Sequence, residues 1–345
     1  MKISISSSVL YLFFFIAAFS GIVVETSLST KGLIVVSTFL SIPLVISFVI
    51  FRLKFTQSWA FFLMLLVLLL VLSGGLSGAL FLVILNILIY MVLMQLPKYR
   101  VLAVLNSNVF LIFFLVYIAV TFLISVFVNW SPFSGSPKMF PTERLRLFIS
   151  EPSYLAMLLV PLFFLVNSNY SRMLFAVVVF ATQSYLGFVF FFVIYLVSKK
   201  SINIFYYGIF ILLFTVYLLS YEIDFFSNSG LIRLVGIKAL LDDSFTAFNM
   251  IFGSGLGAAD ELLKPFFNSF GVAQANSFVF GLVYDVGFLG FLLLILSYGL
   301  SFRGVLLFLV ILLNFGAGHI LVPLILYLSQ LILERARYEN SVRNY

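Results

Sequence analysis

The chain reads as an all-α integral membrane protein, a polytopic bundle of about twelve helical segments forming a single transmembrane domain over residues 1–345. Three observations carry that reading. Apolar residues make up 63% of the 345 and charged residues 9%, with a mean hydropathy of +1.24; soluble domains have about 45–50% and about 25%. The apolar residues fall in recurring runs near the roughly twenty residues that cross a bilayer as a helix, not in the short alternating segments of a β-barrel. The Lys and Arg residues, which give a formal charge of +7, sit in short clusters between those runs. Cations so placed mark membrane topology rather than a nucleic-acid surface. The absence of cysteine excludes disulfides and thiolate-held metals, and the one histidine, His319, cannot build a metal site alone.

Apolar runs at about 9–24, 32–51, 58–72, 79–96 and 105–128 predict the first five spans. The first resembles a cleavable signal peptide, but its apolar stretch continues through Ile22 to Val24, which favours an uncleaved span. Lys2, Arg52 with Lys54, and Lys98 with Arg100 fall on one side, so the positive-inside rule puts the N-terminus in the cytoplasm and the loop from about 129 to 151 outside. A sixth span over about 152–167 returns the chain to Arg172. The polar Thr182-Gln183-Ser184 step predicts a break between two short helices, which restores Lys199 and Lys200 to the cytoplasmic side. A span at about 203–220 leads to a second outer loop, about 221–275, and residues 276–299 come back in. The last apolar stretch, 304–333, is long enough for two short helices around Gly316-Ala317-Gly318-His319, leaving both termini cytoplasmic.

The cations that this topology leaves outside are Lys31, Lys138, Arg144, Arg146, Arg233, Lys238 and Lys264, and all but Lys31 lie in the two large loops. That runs against the usual bias, and an anionic ligand is one reason for it. In the first loop, Arg144 and Arg146 would share a side on an extended chain but not on a helix. Glu151, just before Pro152, suits either a helix N-cap or a carboxylate that orients an arginine or polarises a hydroxyl. In the second loop, an amphipathic segment over 231–241 puts Arg233 on its greasier side with Ile237 and Leu240, as a ligand or as a snorkelling side chain. Gly253 and Gly255, in Gly253-Ser254-Gly255-Leu256-Gly257, permit close backbone approach. No strand precedes them and no Lys-Ser/Thr follows, so this is neither a dinucleotide fingerprint nor a P-loop. Asn276 opens the next span, and Asp285 lies within it, where a carboxylate needs a polar cavity or a partner.

These stretches together resemble the Wzy-type O-antigen polymerase family, within the wider O-antigen ligase/polymerase group. The resemblance rests on Arg146-Leu-Phe-Ile-Ser-Glu-Pro-Ser153 opening a span after an outer loop, on Arg233 followed by Phe252-Gly253-Ser254-Gly255-Leu256-Gly257, and on Asn276-Ser277 leading into Asp285-Val286-Gly287-Phe288-Leu289-Gly290. It covers roughly 140–335 in order and spacing. It implies a GT-C-like membrane glycosyltransferase of the bacterial inner membrane, acting at the periplasmic face without a metal or other cofactor. The implied substrates are undecaprenyl-diphosphate-linked oligosaccharides, the implied partners are membrane lipid, a chain-length regulator and a flippase, and no nucleic acid is involved. The family's loop arginines correspond to Arg146 or Arg144 and to Arg233, whose planar guanidinium suits a diphosphate leaving group. Arg146, Arg233 and Glu151 are thus the expected catalytic residues, with Arg144, Asn276, Asp285, Gly253 and Gly255 expected to bind substrate. The ligase branch carries a histidine where this chain has Gln274-Ala275-Asn276, which leaves the general base open among Glu151, Asp260, Glu261 and Asp285. A ligase that transfers finished glycan to lipid A-core, and a lipid-linked glycan flippase, are the alternative readings.

Overall fold

The computed structural model describes residues 57–73, 78–127, 131–134, 143–147, 149, 152–198, 247–263 except 256 and 260, 279–312 and 321–342. The spans expected at 9–24, 32–51 and 203–220, and most of both outer loops, lie outside these residues. The described chain is almost wholly helical: α1 Gln57–Ser73, α2 Gly78–Gln95, α3 Lys98–Leu105, α4 Asn108–Phe127, α5 Pro152–Leu165, α6 Asn169–Ala181, α7 Tyr185–Ser198, α8 Ala247–Phe252, α9 Val279–Tyr298, α10 Phe302–Leu312 and α11 Val322–Val342. One two-stranded antiparallel pair, β1 Phe133–Ser134 and β2 Arg144–Leu145, stands before α5. Asn108–Phe127 and Gly281–Tyr298 are long and apolar enough to cross a membrane, and α2 with α3 would make a third such stretch were it not bent by 93°. The chain forms two compact units, one including Leu85–Ile194 and His319–Tyr345, the other Phe55–Ile84 and Tyr195–Gly318.

In the first unit α4 is the plainest helix. Twenty residues rise about 30 Å, the thickness of a hydrocarbon core. Ser107 caps its start, accepting from the Phe110 N–H at 3.2 Å. Phe110, Phe114, Tyr117 and Thr121 form a buried stripe at helical spacing, while Ile112, Leu115, Val116, Leu123 and Val126 stay exposed on the remaining surface. Such a helix shows one face to protein and the rest to lipid.

The centre of this unit is α5, of which all but Tyr154, Phe163 and Phe164 are buried. Pro152 stands at its first position, where a missing N–H costs nothing. Helices α6 and α11 pack along it, and α7 reaches it where Gly187 meets Ala156: a Cβ on Gly187 would lie 2.5 Å from the Ala156 Cβ. The break expected at Thr182-Gln183-Ser184 is present and self-closing. Thr182 Oγ1 donates to the Val179 carbonyl at 2.6 Å, Gln183 takes a positive φ of 48°, and Ser184 Oγ accepts from the Gly187 N–H at 3.0 Å to cap α7. All three polar residues are buried.

The C-terminal end of α5 gathers three polar side chains. Asn106 Nδ2 and Arg335 Nη1 donate to the Leu165 carbonyl at 3.3 and 3.2 Å, Arg172 Nε donates to the Val166 carbonyl at 2.8 Å, and Asn106 Oδ1 accepts from the Asn167 N–H. Helix carbonyls left without an intrahelical partner are thereby satisfied. Lys98 Nζ pairs with Glu334 Oε1 at 2.6 Å beside them.

In the second unit α1 packs along α9, with Trp59, Phe62, Leu65 and Leu69 buried and Leu63, Met64, Val67 and Val71 exposed. Ser301 Oγ caps α10 by accepting from the Gly304 N–H at 3.3 Å, and Arg303 Nη1 donates to the Val197 carbonyl at 3.0 Å. The last apolar stretch divides as expected into separate α10 and α11, with residues 313–320 outside the described set. The span expected over 276–299 includes α9, long and apolar enough to cross a membrane over Gly281–Tyr298, but the helix is broken at Gly287, whose φ of 69° and ψ of 174° are non-helical.

The two kinds of contact at the end of α5 differ in worth. Arg335→Ala would remove charge-assisted hydrogen bonds to the Leu165 carbonyl and to Asn167 Oδ1, a loss of about 1.5–3 kcal/mol, whereas Lys98→Ala removes a half-exposed surface pair worth about 0.2–1 kcal/mol. Thermal unfolding of the detergent-solubilised variants should therefore show the larger drop for Arg335→Ala.

Candidate functional site

The arginine-bearing segment is extended. Along Arg144-Leu145-Arg146-Leu147 the two leucines are buried and the two arginines half-buried, the period of a strand. The arginines therefore share the side that an extended chain gives them. Each is anchored through Nε to a backbone carbonyl: Arg144 to Thr182 at 3.2 Å and Arg146 to Ser131 at 3.0 Å. The strand itself is held by the Arg146 and Leu147 N–H groups, which both donate to the Pro132 carbonyl at 2.9 and 3.1 Å. Leu147, with a positive φ of 53°, then turns the chain toward α5. Anchoring through Nε fixes the plane of a guanidinium, the preorganisation needed to hold an oxyanion without rearrangement.

Three residues beyond Arg146 the chain enters an apolar cleft. It is a narrow, partly open cleft between α4 and α5, walled by Phe110, Phe114 and Tyr117, by Leu155 and Leu159, and by Ile149. Ile149 also returns its N–H to the Arg146 carbonyl at 3.1 Å, so the mouth of the cleft and the arginine strand are one hydrogen-bonded piece. Paired cations beside an aliphatic and aromatic groove suit an amphiphile with an anionic head and a hydrocarbon tail.

In the second unit Gly253, Gly255 and Asp285 come together. At the Gly287 break the chain crosses the turn after α8 with no room for a side chain. A Cβ on Gly253 would lie 2.3 Å from the Asp285 carbonyl oxygen, and one on Gly287 would lie 2.3 Å from that of Ile251. The carbonyls of Tyr284 and Asp285, which the break takes from their helical partners, accept instead from the Ser254 and Gly255 N–H groups, each at 2.9 Å. The Asp285 carboxylate accepts from the Gly257 N–H at 3.1 Å and the Ala259 N–H at 2.8 Å. Of the roles open to Asp285 from the sequence, this geometry supplies the structural pairing: side-chain oxygens that accept from the N–H groups at the start of a short helical turn.

Glu151, Arg233 and Asn276 lie outside the described residues, as do Asp260, Lys264 and His319. Among the described residues no group of three or more His, Cys, Asp or Glu could hold a metal. Sequence reasoning missed the part of Thr182 and Ser131 in anchoring the arginines. A polar tripeptide inside an apolar run was visible as a break in topology, but a carbonyl acceptor leaves no trace in residue type.

The crossing predicts a graded response to Gly→Ala. Gly253→Ala and Gly287→Ala combine a positive φ with a backbone clash and should each cost about 2 kcal/mol or more. Gly257, at φ +90° with nothing within 4 Å of its Cβ position, carries backbone strain alone. Unfolding midpoints should rank Gly257→Ala above both. Comparison with protein families, with characterised proteins and with solved structures gave no match to this chain.

Proposed function

We propose that the chain is a membrane glycosyltransferase that polymerises undecaprenyl-diphosphate-linked repeat units into O-antigen or a related surface polysaccharide at the periplasmic face of the bacterial inner membrane. The observation that carries the reading is the anchored arginine strand, hydrogen-bonded to the mouth of the apolar cleft between α4 and α5. The apolar lining of the cleft suits the chemistry of a polyprenyl chain, and a diphosphate suits Arg144 and Arg146.

In this reaction a sugar hydroxyl of the acceptor attacks the anomeric carbon of the donor. A new C–O bond forms, the anomeric C–O bond to the lipid diphosphate breaks, and the hydroxyl proton passes to a base. Negative charge grows on the departing diphosphate oxygen, and guanidinium groups held in place stabilise it without reorganising. Arg146 and Arg233 are assigned that role, Arg144 binds the diphosphate, and Glu151 is the carboxylate assigned to catalysis, with the base itself open among Glu151, Asp260, Glu261 and Asp285. The turn around Gly253 and Gly255 in the second loop is tied to Asp285, and these residues with Asn276 are assigned to substrate binding.

Purified protein with lipid-linked repeat units should extend them into chains. Arg146→Ala and Arg233→Ala should slow extension by about 10²-fold or more, the scale for losing one preorganised charge stabiliser, and Arg146→Lys should recover only part because ammonium lacks the bidentate fork. Cells carrying either Ala variant should display single repeat units only. Unchanged long-chain ladders in both would remove the site, and transbilayer movement of the lipid without extension would replace the enzyme by a transporter.

A further inference from the structure

The structure has a second cationic place, at the other end of α5 from the arginine strand. Leaving α2 at 93°, α3 buries Val101, Val104 and Leu105 and exposes Lys98, Tyr99 and Arg100. A helix that turns at right angles to an apolar helix, with its apolar side inward and its basic side outward, has the form of an interfacial helix lying along a bilayer surface.

Charge at this end is unbalanced. Lys98, Arg100, Arg172 and Arg335 are grouped here, and Glu334, the carboxylate whose contacts are described, is joined to Lys98. The negative pole of α5 is occupied too, since its terminal carbonyls already take Arg335, Arg172 and Asn106. Lys98 and Arg100 also stand in the first turn of α3, where a helix dipole repels cations. Arg100 Nε turns to the neighbouring Tyr99 hydroxyl at 3.0 Å, with its guanidinium 5.7 Å from that ring. Tyr99 and Tyr170 are 69% and 83% exposed, the residue type enriched at membrane–water boundaries. All four cations also belong to the set that the charge pattern of the sequence puts on the cytoplasmic side.

We propose that this end of α5, centred on Tyr99 and Arg100, binds the phosphodiester headgroup of an anionic phospholipid. The headgroup supplies negative charge to the exposed basic turn of Lys98, Tyr99 and Arg100. Its acyl chains continue into the hydrocarbon layer, and the exposed tyrosines mark the depth of the boundary. The site is independent of the glycosyltransferase reading, because neither residue touches the arginine strand or the cleft.

The test uses delipidated full-length protein in detergent, titrated with phosphatidylglycerol, phosphatidylcholine or inorganic phosphate. Unfolding midpoints and native mass spectra of retained lipid are the two readouts. Phosphatidylglycerol should raise the midpoint by at least about 2 °C, should be retained in preference to phosphatidylcholine, and should lose most of its effect at about 1 M salt, where screening reaches about 3 Å. Arg100→Gln should lose more than half of the shift and Arg100→Lys should keep most of it. Equal shifts from the two lipids, a shift reproduced by inorganic phosphate, or an undiminished shift in Arg100→Gln would each overturn the proposal.

Discussion

An apolar chain of this kind must satisfy its own backbone wherever a helix stops, because hydrocarbon offers no water to do it. That constraint explains where the polar residues of the described structure are spent. Ser107, Ser168, Ser184 and Ser301 each accept an N–H near the start of the following helix, and Thr182, Asn106, Arg172 and Arg335 each donate to a carbonyl at a helix end. The residue types are those that favour caps. Their spacing divides a sequence of nearly uniform hydropathy into helices of definite length.

The break in α9 is the severest instance of the same constraint. Interrupting a helix inside an apolar stretch frees carbonyls and amides together, and irregular backbone at such a place persists only where protein or a polar cavity receives it. The turn after α8 receives it: its N–H groups replace the lost helical donors, and the Asp285 carboxylate closes the reverse connection. Two glycines at the crossing remove the side chains that would hold the strands of backbone apart. A charged residue in a span invites a functional reading, and here its charge is used first to join two segments distant in sequence.

Helix α5 relates the features of the first unit. Its start follows the arginine strand and flanks the apolar cleft, its length buries against α6 and α11, and its end collects Asn106 with the basic side chains Arg172 of α6 and Arg335 of α11. Fourteen residues rise about 21 Å, less than a hydrocarbon core of about 30 Å. The two proposed anion sites, one for a lipid diphosphate and one for a phospholipid headgroup, thus stand at opposite ends of one short buried helix.

Much of the helical plan was legible from local chemistry. The Pro152 start of α5, the Thr182-Gln183-Ser184 break, the separation of α10 from α11 and the extent of α1, α2 and α4 follow from apolar run length, proline and small polar residues, all of which act within a few residues of themselves. The extended form of Arg144 to Leu147 was legible as one of two open options. The sequence by itself determined that the chain is helical and apolar enough to span a membrane, and which residues could carry charge at the edges. Only the tertiary structure decided that Gly287 breaks α9, that Asp285 holds the Gly257–Ala259 turn, that Arg144 is tied to Thr182, and that Asn106 and Arg335 meet at the Leu165 carbonyl. The reason is physical: each of these rests on a backbone carbonyl or amide 26 or more residues away or on the space between two chains, and neither is written in the identity of the residue that supplies it.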